Sequence, residues 1–271
     1  MTGPARHLRH AWLAVAITAA CAACTPAAPG PPAVASAPPT TAVRRPTSAT
    51  VSPRPAQSGP DLVVLVHGYN GTAEEMASLA EALRAPRRTV VAVRLPERGT
   101  VSFDASADAL ATALAGATGR IDLVGYSLGG LVIRTLLARS PRTAARVGVV
   151  VTLATPYGGV QLSPGPGERC TGANACGQLR PGSAALRGLA AAPLPGRWIA
   201  LHSADDALVT PTRAVLDGGI NVTVDDGCPA ANLGHLEMRD SRLVREFVAA
   251  ALAGSTPDTA LRRACAASGL R

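Results

Sequence analysis

A serine between two glycines is the clearest chemical signal in this sequence. Residues 125–129 read GYSLG, and Ser127 is their central residue. The apolar run 121–124 leads into this motif, and residues 128–139 follow with helical periodicity. A sharp turn from a strand into a helix needs glycine on both sides, because Cβ atoms would collide there, and it lifts the serine hydroxyl to the end of the sheet. The pattern therefore predicts that Ser127 is a nucleophile for acyl transfer.

A serine hydroxyl is a poor nucleophile unless a neighbouring base takes its proton. Where a strand, a serine and a helix form such a turn, the acid and then the histidine follow the serine along the chain. His235 lies after the last short strand and before the helix predicted for residues 237–252, and we expect it to be the base. His202 precedes every plausible acid, so it is interpreted as a strand-end residue near the site.

The acid that orients this histidine is expected between Ser127 and His235, where a strand ends. A predicted strand at 198–201 leads into the two neighbouring acids Asp205 and Asp206. Neighbouring side chains in a turn point apart, so only one of the two can reach the imidazole. Its carboxylate would fix the tautomer of the imidazole and stabilise the imidazolium.

Two backbone N–H groups are expected to stabilise the oxyanion of the tetrahedral intermediate. One belongs to the residue after the nucleophile, Leu128. The other comes from the loop that follows the first strand, residues 67–71, which read HGYNG. In that loop we assign the donor to the N–H of Tyr69.

The elements that must hold these residues alternate between strand and helix. Strands are predicted at 62–66, 89–93, 121–124, 147–153, 198–201 and 222–224, and helices at 73–85, 104–117, 128–139 and 237–252. Such alternation is typical of an α/β fold with a mostly parallel central sheet flanked by helices, whose ligands bind at the carboxyl ends of the strands. The Gly- and Pro-rich stretch 155–196 interrupts the alternation and is predicted to be a loop insertion near the site.

The N-terminal part of the sequence has the composition of an export signal and a linker. Residues 1–24 combine two arginines, a short apolar run at 11–20 and two cysteines, Cys21 and Cys24. Either cysteine could accept a lipid, and plain secretion is the alternative. Residues 25–60 hold 10 of the 23 prolines and predict a disordered linker. The catalytic domain is then expected at 61–254, followed by a C-terminal tail at 255–271.

Four further cysteines lie in the predicted domain and tail: Cys170, Cys176, Cys228 and Cys265. In an exported protein they allow three pairings. Our first choice joins Cys170 with Cys176 across a short loop, which leaves Cys228 with Cys265. No Cys/His spacing indicates zinc, and we expect neither a metal nor a cofactor.

The formal charge of +8 does not indicate a nucleic-acid-binding protein. Residues 1–60 hold five arginines and no acid, whereas residues 61–271 balance 21 arginines against 18 acids, a net charge of +3. The arginines form no helical stripe, and aromatic residues make up only 3% of the chain, so a stacking surface for bases is not expected. We expect a monomer that binds no nucleic acid.

Five segments together resemble bacterial lipases of the α/β-hydrolase superfamily, specifically the small secreted triacylglycerol lipases and esterases. They read LVVLVHGYNG, GYSLGG, VVTLATPYGG, SADDALVTP and GHLEM, and the resemblance covers roughly Leu62 to Ala253. It implies the α/β-hydrolase fold and cofactor-free hydrolysis of acyl esters or lipids through an acyl-enzyme. The turn Asp-x-Leu-Val-x-Pro selects Asp206 as the acid, with Asp205 as the runner-up. Tyr157 replaces a histidine of the family's pattern and is given a structural role only.

Two other functions remain open at the level of sequence. A cell-envelope acyltransferase or a thioesterase would use the same triad, because the acceptor is selected by pocket walls that the sequence does not describe. A non-catalytic lipid-binding protein of the same fold is the second alternative, although all three triad residue types are present in the expected order.

Overall fold

The computed structural model of the protein describes residues 61–164 and 169–270. The predicted signal peptide, its candidate lipid acceptors Cys21 and Cys24, and the predicted linker 25–60 lie outside the described residues.

Six parallel strands form one sheet in the order β2-β1-β3-β4-β5-β6. They are β1 Asp61–Val66, β2 Arg88–Val93, β3 Ile121–Tyr126, β4 Val147–Leu153, β5 Arg197–His202 and β6 Ile220–Thr223. All six predicted strands are present, and the predicted α/β fold with its parallel central sheet is confirmed. The carboxyl ends of parallel strands meet at one edge of the sheet, where the predicted site residues also lie.

Helices connect the strands and cover both faces of the sheet. They are α1 Ala77–Ala82, α2 Phe103–Leu114, α3 Leu128–Arg139, α4 Pro141–Ala144, α5 Ala175–Gln178, α6 Ala184–Ala191, α7 Pro211–Ala214, α8 Val224–Gly227, α9 Glu237–Asp240, α10 Arg242–Leu252 and α11 Pro257–Ser268. A short 3₁₀ turn spans Glu74–Met76, and Pro96–Gly99 form a turn with left-handed backbone at Glu97 and Arg98.

Two hydrophobic cores lie on the two faces of the sheet. Val63 and Leu65 of β1 belong to one core together with Phe247 of α10, whereas Val64 belongs to the other together with Leu131 of α3. Successive side chains of a strand point to opposite faces, so a strand covered on both faces must be apolar throughout. Burial of each such side chain contributes about 1.5–3 kcal/mol, and this explains the uninterrupted apolar run of β1.

Two predicted elements near the C-terminus have different bounds in the structure, and one helix was not predicted. The last strand ends at Thr223, because Val224 already begins α8. The single helix predicted at 237–252 is two helices, since Ser241 has extended backbone and caps α10 by accepting a hydrogen bond from the N–H of Val244 at 3.2 Å. Within the predicted tail the structure has a further helix, α11, which packs against α10.

Both expected disulfides are present in the structure. Cys170 is joined to Cys176 within the insertion, with 5.0 Å between the Cα atoms, and Cys228 is joined to Cys265 with 5.5 Å. The second bond ties α11 to the segment that precedes His235. Disulfides of this kind persist in oxidising compartments. Among the described helices, none has the length and apolar character needed to cross a lipid bilayer.

Candidate active site

The chain makes the predicted sharp turn from strand to helix at Ser127. Ser127 lies between β3 and α3 with φ 51° and ψ −121°, a backbone conformation that residues other than glycine rarely adopt. A Cβ atom on Gly129 would lie 2.1 Å from the carbonyl oxygen of Val66, and one on Gly125 would lie 2.5 Å from the nitrogen of Gly130. Both glycines are therefore required by the close approach of α3 to the sheet.

Ser127, His235 and Asp206 form one chain of hydrogen bonds. The Oγ of Ser127 lies 3.1 Å from Nε2 of His235, and Nδ1 of His235 lies 2.7 Å from Oδ2 of Asp206. The three residues are far apart in the sequence: His235 follows Asp206 by 29 positions and Ser127 by 108 positions. The structure thus brings together the three side chains that the sequence analysis selected as nucleophile, base and acid.

The two neighbouring aspartates have different surroundings. Asp206 is buried, and its Oδ1 accepts hydrogen bonds from the N–H groups of Leu208 at 2.9 Å and Val209 at 2.8 Å. These bonds fix the carboxylate so that Oδ2 faces His235. Asp205 is exposed, and its backbone N–H donates to the hydroxyl of Ser203. Of these two aspartates, only Asp206 contacts the imidazole of His235.

Tyr126 supports His235 from the side of the nucleophile, a contact that the sequence analysis missed. Its hydroxyl donates to the backbone carbonyl of His235 at 3.0 Å, and its ring lies 5.2 Å from the imidazole. Burial raises the pKa of Tyr126, so the hydroxyl stays protonated and remains a donor. The guanidinium of Arg239 lies 5.6 Å from the same ring and pairs with Glu75 at 2.6 Å.

The loop of residues 67–71, which we call the oxyanion loop, packs directly against the nucleophile. A Cβ atom on Gly68 would lie 3.3 Å from Cβ of Ser127 and 3.2 Å from the ring of Tyr126. The loop turns through a hydrogen bond from the N–H of Gly71 to the carbonyl of Gly68 at 3.2 Å. Tyr69, in the middle of this turn, lines the same cavity as Ser127.

A cavity of about 300 Å³ opens beside the hydroxyl of Ser127. His235, the oxyanion loop and the charged side chains of Glu75 and Arg239 form part of its lining. Most of the other lining residues are apolar, among them Val160, Leu162, Leu179, Leu208 and Leu236. Three of these residues come from the predicted insertion 155–196, which therefore lies beside the site as expected. Leu236 is 59% exposed and Leu208 44% exposed, so apolar surface flanks the opening.

Residues of the insertion also support the strand ends behind Ser127. The hydroxyl of Thr155 donates to the backbone carbonyl of Ser127 at 2.9 Å. The hydroxyl of Tyr157 donates to that of Thr152 on β4, also at 2.9 Å. Tyr157 has no hydrogen bond with the triad among these contacts, and this fits the structural role expected for it.

Two histidines outside the triad are buried at strand ends. His67 accepts a hydrogen bond from the N–H of Leu95 at Nε2, over 3.2 Å, so its proton is on Nδ1, which donates to the carbonyl of Gly68 at 2.8 Å. His202, at the end of β5, contacts the hydroxyl of Thr223 at 3.3 Å. Burial lowers the pKa of both imidazoles, which favours their neutral forms.

We expect the stability of the protein to fall with decreasing pH, in part through His67. Because its pKa is lowered in the folded state, the unfolded chain binds a proton below about pH 6.5 that the folded protein does not bind. The free energy of unfolding therefore decreases as the pH drops below that value. His67→Gln keeps an acceptor for Leu95 but does not titrate, so its loss of stability from pH 7.5 to 5.5 should be smaller (pH values about one unit either side of the imidazole pKa). Urea unfolding of both proteins at the two pH values measures this difference. Equal losses would assign the pH dependence to other groups.

Among the described residues, no group of three or more His, Cys, Asp or Glu side chains is arranged to hold a metal ion. The site, as the described residues form it, consists of a hydrogen-bonded serine, histidine and aspartate beside an apolar cavity. Such an arrangement can transfer an acyl group through the serine hydroxyl.

Comparisons with known proteins agree with this architecture. A family model described as the α/β hydrolase family matches residues 63–269. Among solved structures, the chain is similar to Aspergillus fumigatus lipase B, with a TM-score of 0.61 and 19% identity over 75% of this chain. It spans 57% of the length of that lipase. At this identity, the similarity shows the fold.

Two further structures have the same fold. The metagenomic carboxyl esterase MGS0156 has a TM-score of 0.53 and 21% identity, over 80% of this chain and 78% of the esterase. Bacillus licheniformis lipase BlEst2 has a TM-score of 0.51 and 19% identity, over 70% of this chain and 89% of the lipase. No curated protein sequence matches the chain.

Proposed function

Because this chain belongs to the α/β hydrolase family, we propose that it is a serine hydrolase of carboxylic esters, a lipase or esterase that forms an acyl-enzyme on Ser127. The observation that carries the proposal is the chain of hydrogen bonds from Ser127 through His235 to Asp206, at 3.1 Å and 2.7 Å, in the wall of an apolar cavity. The lipase and esterase structures that share its fold support the same reaction class.

In the first half-reaction, Nε2 of His235 takes the proton of Ser127 while Oγ attacks the ester carbonyl. The carbonyl oxygen gains negative charge and is stabilised by the backbone N–H groups of Leu128, at the start of α3, and of Tyr69 in the oxyanion loop. His235 then returns the proton to the departing alkoxide, and the acyl group remains on Ser127. Asp206 stabilises the imidazolium in both steps, because its Oδ2 accepts from Nδ1 of His235.

In the second half-reaction, a water molecule takes the place of the alcohol. His235 removes its proton, the oxygen attacks the acyl carbonyl, and collapse of the intermediate releases the carboxylic acid and restores the Ser127 hydroxyl. All proton transfers use Nε2 of His235, so the reaction requires the tautomer with the proton on Nδ1. The carboxylate of Asp206 favours that tautomer.

The apolar walls of the cavity support binding of an acyl chain. A volume of about 300 Å³ is at the lower limit of ordinary ligand pockets, which favours short or medium chains. We therefore expect p-nitrophenyl esters with acyl chains of about four to eight carbons to be hydrolysed with a higher kcat/KM than the ester with an acyl chain of about sixteen carbons. Hydrolysis by the wild-type protein, measured over the whole series, tests this. A maximum at the longest chain would contradict the size limit but not the reaction.

Two additions to this assay, an alcohol acceptor and a fluorophosphonate probe, test the reaction itself. Transfer of the acyl group to an added alcohol faster than to water would identify an acyltransferase. A folded protein that hydrolyses none of the esters and does not react with a fluorophosphonate would exclude a serine esterase.

We also propose that the protein is exported as a monomer, with the catalytic domain at 61–254 and a lipid on Cys24 or Cys21 as its membrane tether. The two disulfides support an oxidising compartment. Mass spectrometry of the mature N-terminus would distinguish a lipidated cysteine from a freely secreted chain.

A further inference from the structure

The connection between β2 and α2 contacts the oxyanion loop at several points. The N–H of Leu95 donates to Nε2 of His67 at 3.2 Å. The guanidinium of Arg98 donates to the carbonyl oxygen of Asn70 through Nε at 3.0 Å and through Nη2 at 2.6 Å. Gly99 packs so closely that a Cβ atom there would lie 3.4 Å from the carbonyl of Gly68.

The backbone of this connection is strained at consecutive residues. Glu97, Arg98 and Gly99 have φ values of 44°, 59° and 79°, so two residues other than glycine occupy the left-handed region. Such a backbone conformation costs free energy in a residue other than glycine, and it persists only where the surroundings impose it. Strain of this kind is concentrated at functional sites. In the observed conformation, the exposed Arg98 reaches the oxyanion loop with two donors.

The contact of Arg98 is at the turn that holds the expected oxyanion donor. Gly68 to Gly71 form a four-residue turn closed by the hydrogen bond from Gly71 to Gly68, with Tyr69 and Asn70 in its centre. Asn70, the third residue of this turn, has φ 52°. A positive φ at the third position is typical of several classes of four-residue turn. Holding the carbonyl of Asn70 in place fixes this turn, and with it the direction of the N–H of Tyr69.

We propose that Arg98 is a positioning residue that aligns the oxyanion loop for catalysis, a role that rests on the proposed function. Arg98 is absent from the lining of the cavity beside Ser127, so it acts through Asn70 rather than through the substrate. A hydrogen bond with a charged donor is stronger than a neutral one, and two donors on one oxygen also fix its direction. The N–H of Tyr69 therefore meets the developing oxyanion in a preset geometry.

Arg98→Met tests the proposal, because methionine fills a similar volume without donors. We expect kcat for a short p-nitrophenyl ester to fall about 10- to 100-fold with little change in KM, since the donor is misaligned only where the transition state needs it. The affinity for an alkylboronic acid, which forms a tetrahedral adduct with Ser127, should fall by a similar factor. Arg98→Lys keeps the charge but not the two-donor geometry and should recover only part of kcat.

Arg94→Met is the matched control. Arg94 is also exposed and lies four residues earlier, where it pairs with Glu74 outside the oxyanion loop. Its variant should retain wild-type kcat. Thermal unfolding of all variants verifies that they are folded, and a loss of stability without a fall in kcat at 25 °C would be the signature of a merely structural arginine.

Three results would overturn the role of Arg98. The first is a kcat of Arg98→Met within about twofold of wild type. The second is a rise in KM that accounts for the whole loss of kcat/KM, which would indicate substrate binding instead. The third is a wild-type protein that neither hydrolyses esters nor reacts with a fluorophosphonate. That result would contradict the proposed function as well as the role of Arg98. It differs from the first two results because it is obtained with the wild-type protein alone.

Discussion

Ser127→Ala is expected to abolish ester hydrolysis while the protein stays folded. Without Oγ no acyl-enzyme can form, and loss of a triad serine typically lowers kcat by about 10⁴-fold or more. The fold should tolerate the change, because alanine keeps the Cβ atom and, among the described residues, Oγ has a hydrogen bond with His235 alone. Assays with p-nitrophenyl esters and fluorophosphonate labelling, together with circular dichroism and thermal unfolding, measure both parts of the expectation.

Ser127→Gly is a second test of the nucleophile, in a variant whose backbone suits this position. The left-handed backbone at this position, with φ 51°, favours glycine, so this variant should be inactive and at least as heat-stable as Ser127→Ala. Ser255→Ala is the control for a half-buried serine outside the site and should keep full activity. Ester hydrolysis that survives in either Ser127 variant would exclude this residue as the nucleophile.

Asp206→Asn is expected to lower kcat by about 10⁴-fold at neutral pH, close to the effect expected for the nucleophile. In the wild type, Oδ1 of Asp206 accepts from the N–H groups of Leu208 and Val209, while Oδ2 accepts from His235. The oxygen of an asparagine amide must stay toward the two N–H groups, so its NH₂ would face Nδ1 of His235. An imidazole that accepts there carries its proton on Nε2 and cannot remove the proton of Ser127.

The neighbouring aspartate provides an internal control for this variant. Asp205→Asn removes the same charge one residue away, at an exposed position with no contact to the imidazole, and should leave kcat within about twofold of wild type. The steady-state kinetics of both variants on one ester decide between the two carboxylates. A larger loss in Asp205→Asn would move the acid to that residue and would contradict the hydrogen bonds seen here.

Local patterns in the sequence were sufficient to predict the α/β fold and its six strands. Apolar runs of three to seven residues identify the strands, and segments with helical periodicity between them indicate crossovers that make neighbouring strands parallel. The same reasoning located Ser127, because the apolar strand, the turn and the helix are consecutive in the sequence and Gly125 is required by its contact with Gly130 in the same unit. The contact that requires Gly129, with Val66 on β1, is visible only in the structure. Helix α11 was missed because a short Ala- and Arg-rich segment has weak periodicity by itself, and packing against α10 stabilises it.

The sequence by itself therefore determined the order of the elements, the turn at Ser127 and the small set of residues from which a triad can be chosen. Only the tertiary structure decided which side chains meet. The hydroxyl of Tyr126 holds the carbonyl of His235, and the guanidinium of Arg98 holds the carbonyl of Asn70. The physical reason lies in the acceptors of these two contacts, which are backbone carbonyls. Every residue type carries this group, so no sequence pattern marks the partner, and only the folded chain brings donor and acceptor within reach.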